Sequence, residues 1–191
     1  MSNKKITELA AATPLGVGDL FEISQGGVNK KLTGAQLLVF VADGSGIVVL
    51  DTSTTEVGTV GTGEDTLFSY TLPAGTLAAD GNSIRGRMSG IVGNNANVKS
   101  IKLKFGGTTF LTRGTTTPTI GQGWTIDWEV IRTGAAAQKC NATFSGSDGT
   151  ASAYYSVAGE TLSGTVAIVL TGEATDNDDI IKHTSKIVFE P

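Results

Sequence analysis

The chain holds one histidine, His183, and one cysteine, Cys140, so any mechanism that needs either group has a single candidate. A Ser–His–Asp or Cys–His system places a nucleophile within reach of its base. His183 lies in Ile181-Lys182-His183-Thr184-Ser185-Lys186, a β-like stretch flanked by lysines, and nothing there marks it as a base. Cys140 sits between Lys139 and Asn141 in an alternating segment and reads as a small buried strand residue. It has no activating base beside it and no partner for a disulfide within the chain. Gly146-Ser147-Asp148-Gly149 lacks the G-x-S-x-G spacing of a nucleophile elbow. One Cys and one His cannot make the usual zinc set. Asp176-Asn177-Asp178-Asp179 gathers oxygen ligands of the kind calcium prefers, but the EF-hand spacing with its Gly and final Glu is missing. A polar turn accounts for those four residues. Gly58-Thr59-Val60-Gly61-Thr62-Gly63 has neither a following helix nor G-K-[ST], and reads as a loop rather than a phosphate cradle. Trp124, Trp128, Tyr154 and Tyr155 are the aromatics a sugar platform would use. The two Trp fall on the apolar face of one strand and read as core. The two Tyr point to opposite faces, which leaves one of them exposed. The expectation is a protein that is not an enzyme, with no catalytic residue, metal or cofactor.

The composition agrees. Gly makes up 26 of 191 residues, about twice the usual ~7%, and charged residues are 17% against ~25%. Gly for turns and Thr for strands suit many short strands with tight connections. A net charge of −4 and a pI near 4.9 argue against nucleic acid and against anionic lipid. Glu8 and Pro14 interrupt what would be the apolar part of an export signal behind Lys4 and Lys5. The longest apolar run, Leu37 to Ala42, falls far short of the ~20 residues of a spanning helix. These features predict a protein made in a cytoplasm and not held in a bilayer.

The elements that would position these groups divide the chain in three. Residues 1–45 form an arm, 46–65 a linker or first strand, and 66–191 a sandwich of strands. In the arm, Gln25-Gly26-Gly27-Val28-Asn29 separates Asp19–Ser24 from Lys30–Thr33 and predicts a hairpin. Thr33-Gly34-Ala35-Gln36 matches a capping box and predicts a short helix from Gly34 to about Val41. The arm has too little apolar material to close its own core. Leu20, Phe21, Ile23, Leu37, Leu38 and Phe40 are its candidate docking residues. Their partner is open: the main domain, a second copy or another protein. Beyond residue 65 the sequence alternates with period two between turn signals. Lys99, Ile101, Leu103 and Phe105 stand against Val98, Ser100, Lys102 and Lys104. Trp124, Ile126, Trp128 and Val130 stand against Thr125, Asp127, Glu129 and Ile131. Leu67, Ser69 and Thr71 oppose Phe68, Tyr70 and Leu72 in the same way. About nine strands follow, each with one packed and one wet face. The predicted fold is all-β, an antiparallel jelly-roll-like β-sandwich with a small hairpin-plus-helix arm.

The arm also carries a pattern. Lys5-Ile6-Thr7-Glu8-Leu9, then Gly18-Asp19-Leu20-Phe21-x-Ile23, then Gly26-Gly27-Val28-x-Lys30-Lys31-Leu32-Thr33-x-Ala35-Gln36-Leu37 resembles a segment that opens many tailed-phage virion proteins. It covers residues 4–38, about a fifth of the chain. In that group the segment occurs on tail fibres, tailspikes and head decoration proteins. The resemblance implies a virion protein assembled in the host cytoplasm. Its partners would be the major capsid protein or other virion proteins, and its own copies as a trimer. The shortness of the chain favours a capsid decoration (cement) protein. The alternative is a tail-fibre or receptor-binding protein recognising a host-surface glycan or protein. A carbohydrate-binding module would explain the sandwich and leave the arm unexplained.

Overall fold

The computed structural model describes residues 20–25, 28–33, 46–115, 122–147 and 149–191. The chain divides into two compact units, Met1–Ser45 and Gly46–Pro191. In the first, strands β1 (Leu20–Gln25) and β2 (Val28–Thr33) pair antiparallel, with Leu20 opposite Thr33 and Gln25 opposite Val28. The helix predicted from Gly34 to Val41 lies outside the described residues.

Among the described residues the second unit has eleven strands: β3 (Val48–Ser53), β4 (Val57–Gly58), β5 (Gly63–Leu72), β6 (Ser83–Val92), β7 (Lys99–Phe105), β8 (Thr108–Thr115), β9 (Gln122–Gly134), β10 (Ala137–Gly146), β11 (Ala151–Ala158), β12 (Val166–Ala174) and β13 (Ile180–Glu190). They form two antiparallel sheets. The larger has the order β11-β10-β9-β6-β13-β3, with β4 also pairing β13, and the smaller has β5-β12-β7-β8. The nine strands predicted beyond residue 65 are β5 to β13. The stretch predicted as a linker or first strand holds β3, β4 and the start of β5.

Alternation sets the core. Ile84, Met88, Leu103, Ile126, Val130, Ile168, Leu170 and Ile187 have no exposed surface, and each comes from the inward set of its strand. Burying one such side chain contributes roughly 1.5–3 kcal/mol, so these faces dominate the sandwich. Trp124 and Trp128 stand on β9 opposite Gly90 and Gly86 of β6. A Cβ on either glycine would lie 2.6 Å from the facing indole, so the missing side chains make room for the rings. The Trp124 Nε1 donates to the Ile91 carbonyl at 3.2 Å, and Trp128 meets Phe110 edge-on at 6.3 Å.

Strict alternation fails on β5. Leu67 and Phe68 are adjacent, yet both are buried. Leu170 pairs with Phe68 and Thr171 with Thr66, so Leu67 is an extra residue in a bulge. The bulge bends the strand and turns both side chains inward.

Candidate functional site

The inward faces carry two lysines, Lys99 and Lys182, each only 2% exposed. A buried ammonium costs free energy unless it is paired and hydrogen-bonded. The two solve this differently.

Lys99 opens β7 in phase with Ile101, Leu103 and Phe105. Its Nζ donates to Asn95 Oδ1 at 2.5 Å, to the Asn97 carbonyl at 3.1 Å and to the Asn95 carbonyl at 3.4 Å. Asp179 stands 3.8 Å away and is itself buried. The Asp179 carboxylate accepts from the side-chain amides of Asn95 and Asn97, and from the backbone N–H groups of Asp176 and Thr175. Burial alone would raise the pKa of Asp179. The bonds from Asn95, Asn97 and the Asp176 backbone, with the charge of Lys99, outweigh it and hold the carboxyl below its ordinary value. The segment 176–179 is thus a turn whose acid is committed to donors, as its polar-turn reading expected. Asn177 Oδ1 likewise accepts from Gly61 N–H at 2.7 Å. Among the described residues no three His, Cys, Asp or Glu side chains gather to hold a metal ion.

Lys182 owes its position to a second bulge. On β13, Lys182 pairs with Gly90 and Thr184 with Ser89, leaving His183 as the extra residue. Ile180 and Lys182 point inward before the bulge, and Ser185, Ile187 and Phe189 after it. The Lys182 ammonium lies 5.9 Å from the centre of the Phe68 ring. Its one hydrogen bond is a long one to Ser53 Oγ, at 3.4 Å. Among the described residues no carboxylate lies within ion-pair distance of it. It lines a cavity of about 370 Å³ with Asp51, Ser53, Thr66 and Ser69 as further polar walls and Val57, Leu67 and Phe68 as apolar ones. Burial lowers the Lys182 pKa, against the opposing pull of the Asp51 charge. Ser185, opposite Ser53 on β3, has a buried hydroxyl with no hydrogen-bond partner.

The other candidate groups fall into place around these. Cys140 has no exposed surface, and burial, with the Glu160 charge, pushes its thiol up to about 11. His183 Nε2 stands 3.6 Å from Glu56 Oε1 at the surface. Trp124 and Trp128 are core, and of the two tyrosines Tyr155 is exposed while Tyr154 is half-buried. The amides that a phosphate cradle would need are taken: Thr59 N–H donates to Ile180, Val60 N–H to Asp65 and Gly61 N–H to Asn177. In the arm, Leu20, Phe21 and Ile23 lie on β1 opposite Thr33, Leu32 and Lys30. Leu37, Leu38 and Phe40 lie outside the described residues. No helix among the described residues is long and apolar enough to cross a membrane.

Neither buried lysine was singled out by sequence reasoning. The signal for Lys99 was a cation in phase with three apolar residues. For Lys182 the bulge at His183 breaks the period that would have revealed it.

No protein-family model and no curated protein matches the chain. Among solved structures, it is similar to the crystal structure of the infectious bursal disease virus VP2 subviral particle, with 13% identity and a TM-score of 0.37, over 95% of this chain and 41% of that one. It is also similar to the structure of the Gt strain of that virus, with 14% identity and a TM-score of 0.34, over 96% and 42%. The chain spans about two fifths of the length of these structures, and at such TM-scores the likeness carries no argument about function.

Proposed function

We propose that the chain is a non-enzymatic structural protein of a tailed-phage particle, and specifically a capsid decoration (cement) protein. The observation that carries this reading is the K-I-T-E-L…G-G-x-x-K-K-L-T segment at residues 4–38, which falls within a unit compact in its own right. The second unit supports it. With the short β4 and the β10–β11 hairpin set aside, the sheet orders β3-β13-β6-β9 and β5-β12-β7-β8 match the wiring of an eight-stranded jelly roll, a fold that viral capsids use. The arm docks on the head shell through the apolar residues around Leu20, Phe21, Ile23, Leu37, Leu38 and Phe40. The sandwich then bridges neighbouring capsid subunits, as a trimer, and resists the pressure of packed DNA. Such work needs area and many copies rather than a reactive group.

Copy number tests the reading. A cryo-EM map of the particle should place hundreds of copies on the head; a handful at the tail overturns it. Removing residues 1–43 should leave a folded β domain that no longer binds heads. A truncated protein that fails to fold makes the arm part of the core and removes the docking assignment.

A further inference from the structure

The cavity beside Lys182 is built from groups that satisfy one another only in part: the Lys182 ammonium has a single long hydrogen bond, to Ser53 Oγ. Lys182 can only donate hydrogen bonds, and an ionised Asp51 can only accept them. The two line the same cavity without forming an ion pair, although pairing is the usual way to bury an ammonium. Among the described residues the Asp51 carboxylate has no hydrogen-bond partner, and neither do the hydroxyls of Thr66 and Ser69, which are exposed. Ser53 Oγ accepts from Lys182 and from the Thr55 N–H at 3.3 Å. A carboxylate or phosphate ligand would satisfy Lys182 but would face the charge of Asp51. A cation would face Lys182. The complement to this wall is a neutral molecule whose adjacent atoms both accept and donate, which is the property of neighbouring hydroxyl groups on a sugar ring.

The geometry points to this cavity as a saccharide-binding site in which Lys182 donates to one hydroxyl of a vicinal pair and Asp51 accepts from the other. Ser53, Thr66 and Ser69 supply the remaining polar partners, and Val57 meets the ring's C–H face. Its volume of about 370 Å³ lies within the ~300–1,000 Å³ range of small-molecule sites. The inference does not rest on the assignment to a phage head, since every residue named lies in the second unit. It also lies away from the tryptophans that a sugar platform would have used, which are core.

The full-length protein, labelled for amide NMR, is titrated separately with methyl α-glucoside, methyl α-mannoside, galactose and N-acetylglucosamine, and with sodium acetate. The expected result is saturable shifts confined to residues 51–53, 66–69 and 182 with at least one sugar and none with acetate. Asp51→Asn and Lys182→Met should each weaken that binding about tenfold, the usual scale for one hydrogen bond to a charged group. Absence of saturable shifts with all four sugars overturns the inference, as does an equal response to acetate or unchanged binding by Asp51→Asn. Should either variant lose its dispersed spectrum, Ser69→Ala takes its place, with the same tenfold direction required.

Discussion

Lys99 and Asp179 face each other at 3.8 Å across the end of the sandwich, both withdrawn from water and each tied to Asn95. Each charge therefore depends on the other and on the same pair of asparagines. Removing one partner strands the rest, which typically costs about 3–5 kcal/mol. Asp179→Ala and Lys99→Met should each lower the unfolding free energy by that amount, read as a lower urea midpoint at an unchanged slope. The pH dependence has a definite sign. The folded pKa of Asp179 lies below 3.8, so its contribution is complete above 3.8 and disappears as pH falls through the folded value.

Lys182→Met should act in the opposite direction. Among the described residues this ammonium has one long hydrogen bond and no ion pair, so its desolvation is poorly offset. Substitution by an apolar residue of similar length should raise stability by about 1 kcal/mol in denaturant unfolding near pH 7. The folded pKa lies below 10.5, so the cost is present at neutral pH and fades as pH rises from the folded value to 10.5. The advantage of the variant should shrink over that window. A variant that unfolds more easily at neutral pH would show that the contact with the Phe68 ring outweighs desolvation.

Gly90→Ala tests the fit beneath the indoles. Its Cβ would collide with the Ile181 carbonyl oxygen and stand 2.6 Å from the Trp124 ring. Both obstacles are fixed, so the expected loss is at least the ~1–3 kcal/mol of an overpacked core. Gly114→Ala, where the nearest atom would be 3.9 Å away, should change stability by less than about 0.5 kcal/mol. Thermal unfolding of the two variants side by side checks this.

On the outside of the smaller sheet, Glu64 pairs with Lys102 at 2.6 Å and with Lys104. Those lysines hold its pKa down to about 2 against an ordinary 4.5. Its contribution is complete above 4.5 and is lost as pH falls towards 2. Glu64→Gln should flatten the acid side of the stability curve in that window. The pairs are partly exposed, so the effect should stay below about 1 kcal/mol and shrink at ~1 M salt.

Much of the fold was legible because its rule is local. Period two places Ile101, Leu103 and Phe105 inside and Lys102 and Lys104 outside without reference to any other strand. β4 was missed because two residues carry no period. The bulges at Leu67 and His183 were missed because a bulge is a property of a strand pair rather than of one strand. The candidate site depends on the second of these bulges and on residues from two other strands, Asp51 and Ser53 on β3 and Ser69 on β5. Only the folded arrangement brings them to one cavity.

The position of β13 has a consequence for synthesis. It lies between β3 and β6, and residues 185–189 pair with residues 48–53. The larger sheet therefore lacks a central strand until more than a hundred further residues have been translated after β3. At ~5–20 residues per second the ribosome leaves the facing backbone edges of β3 and β6 unpaired for many seconds, when they are open to pairing with other nascent chains. Folding of the sandwich should be slow, as its long-range pairings require, and yield in the cell should respond to chaperone supply more than to modest changes in equilibrium stability.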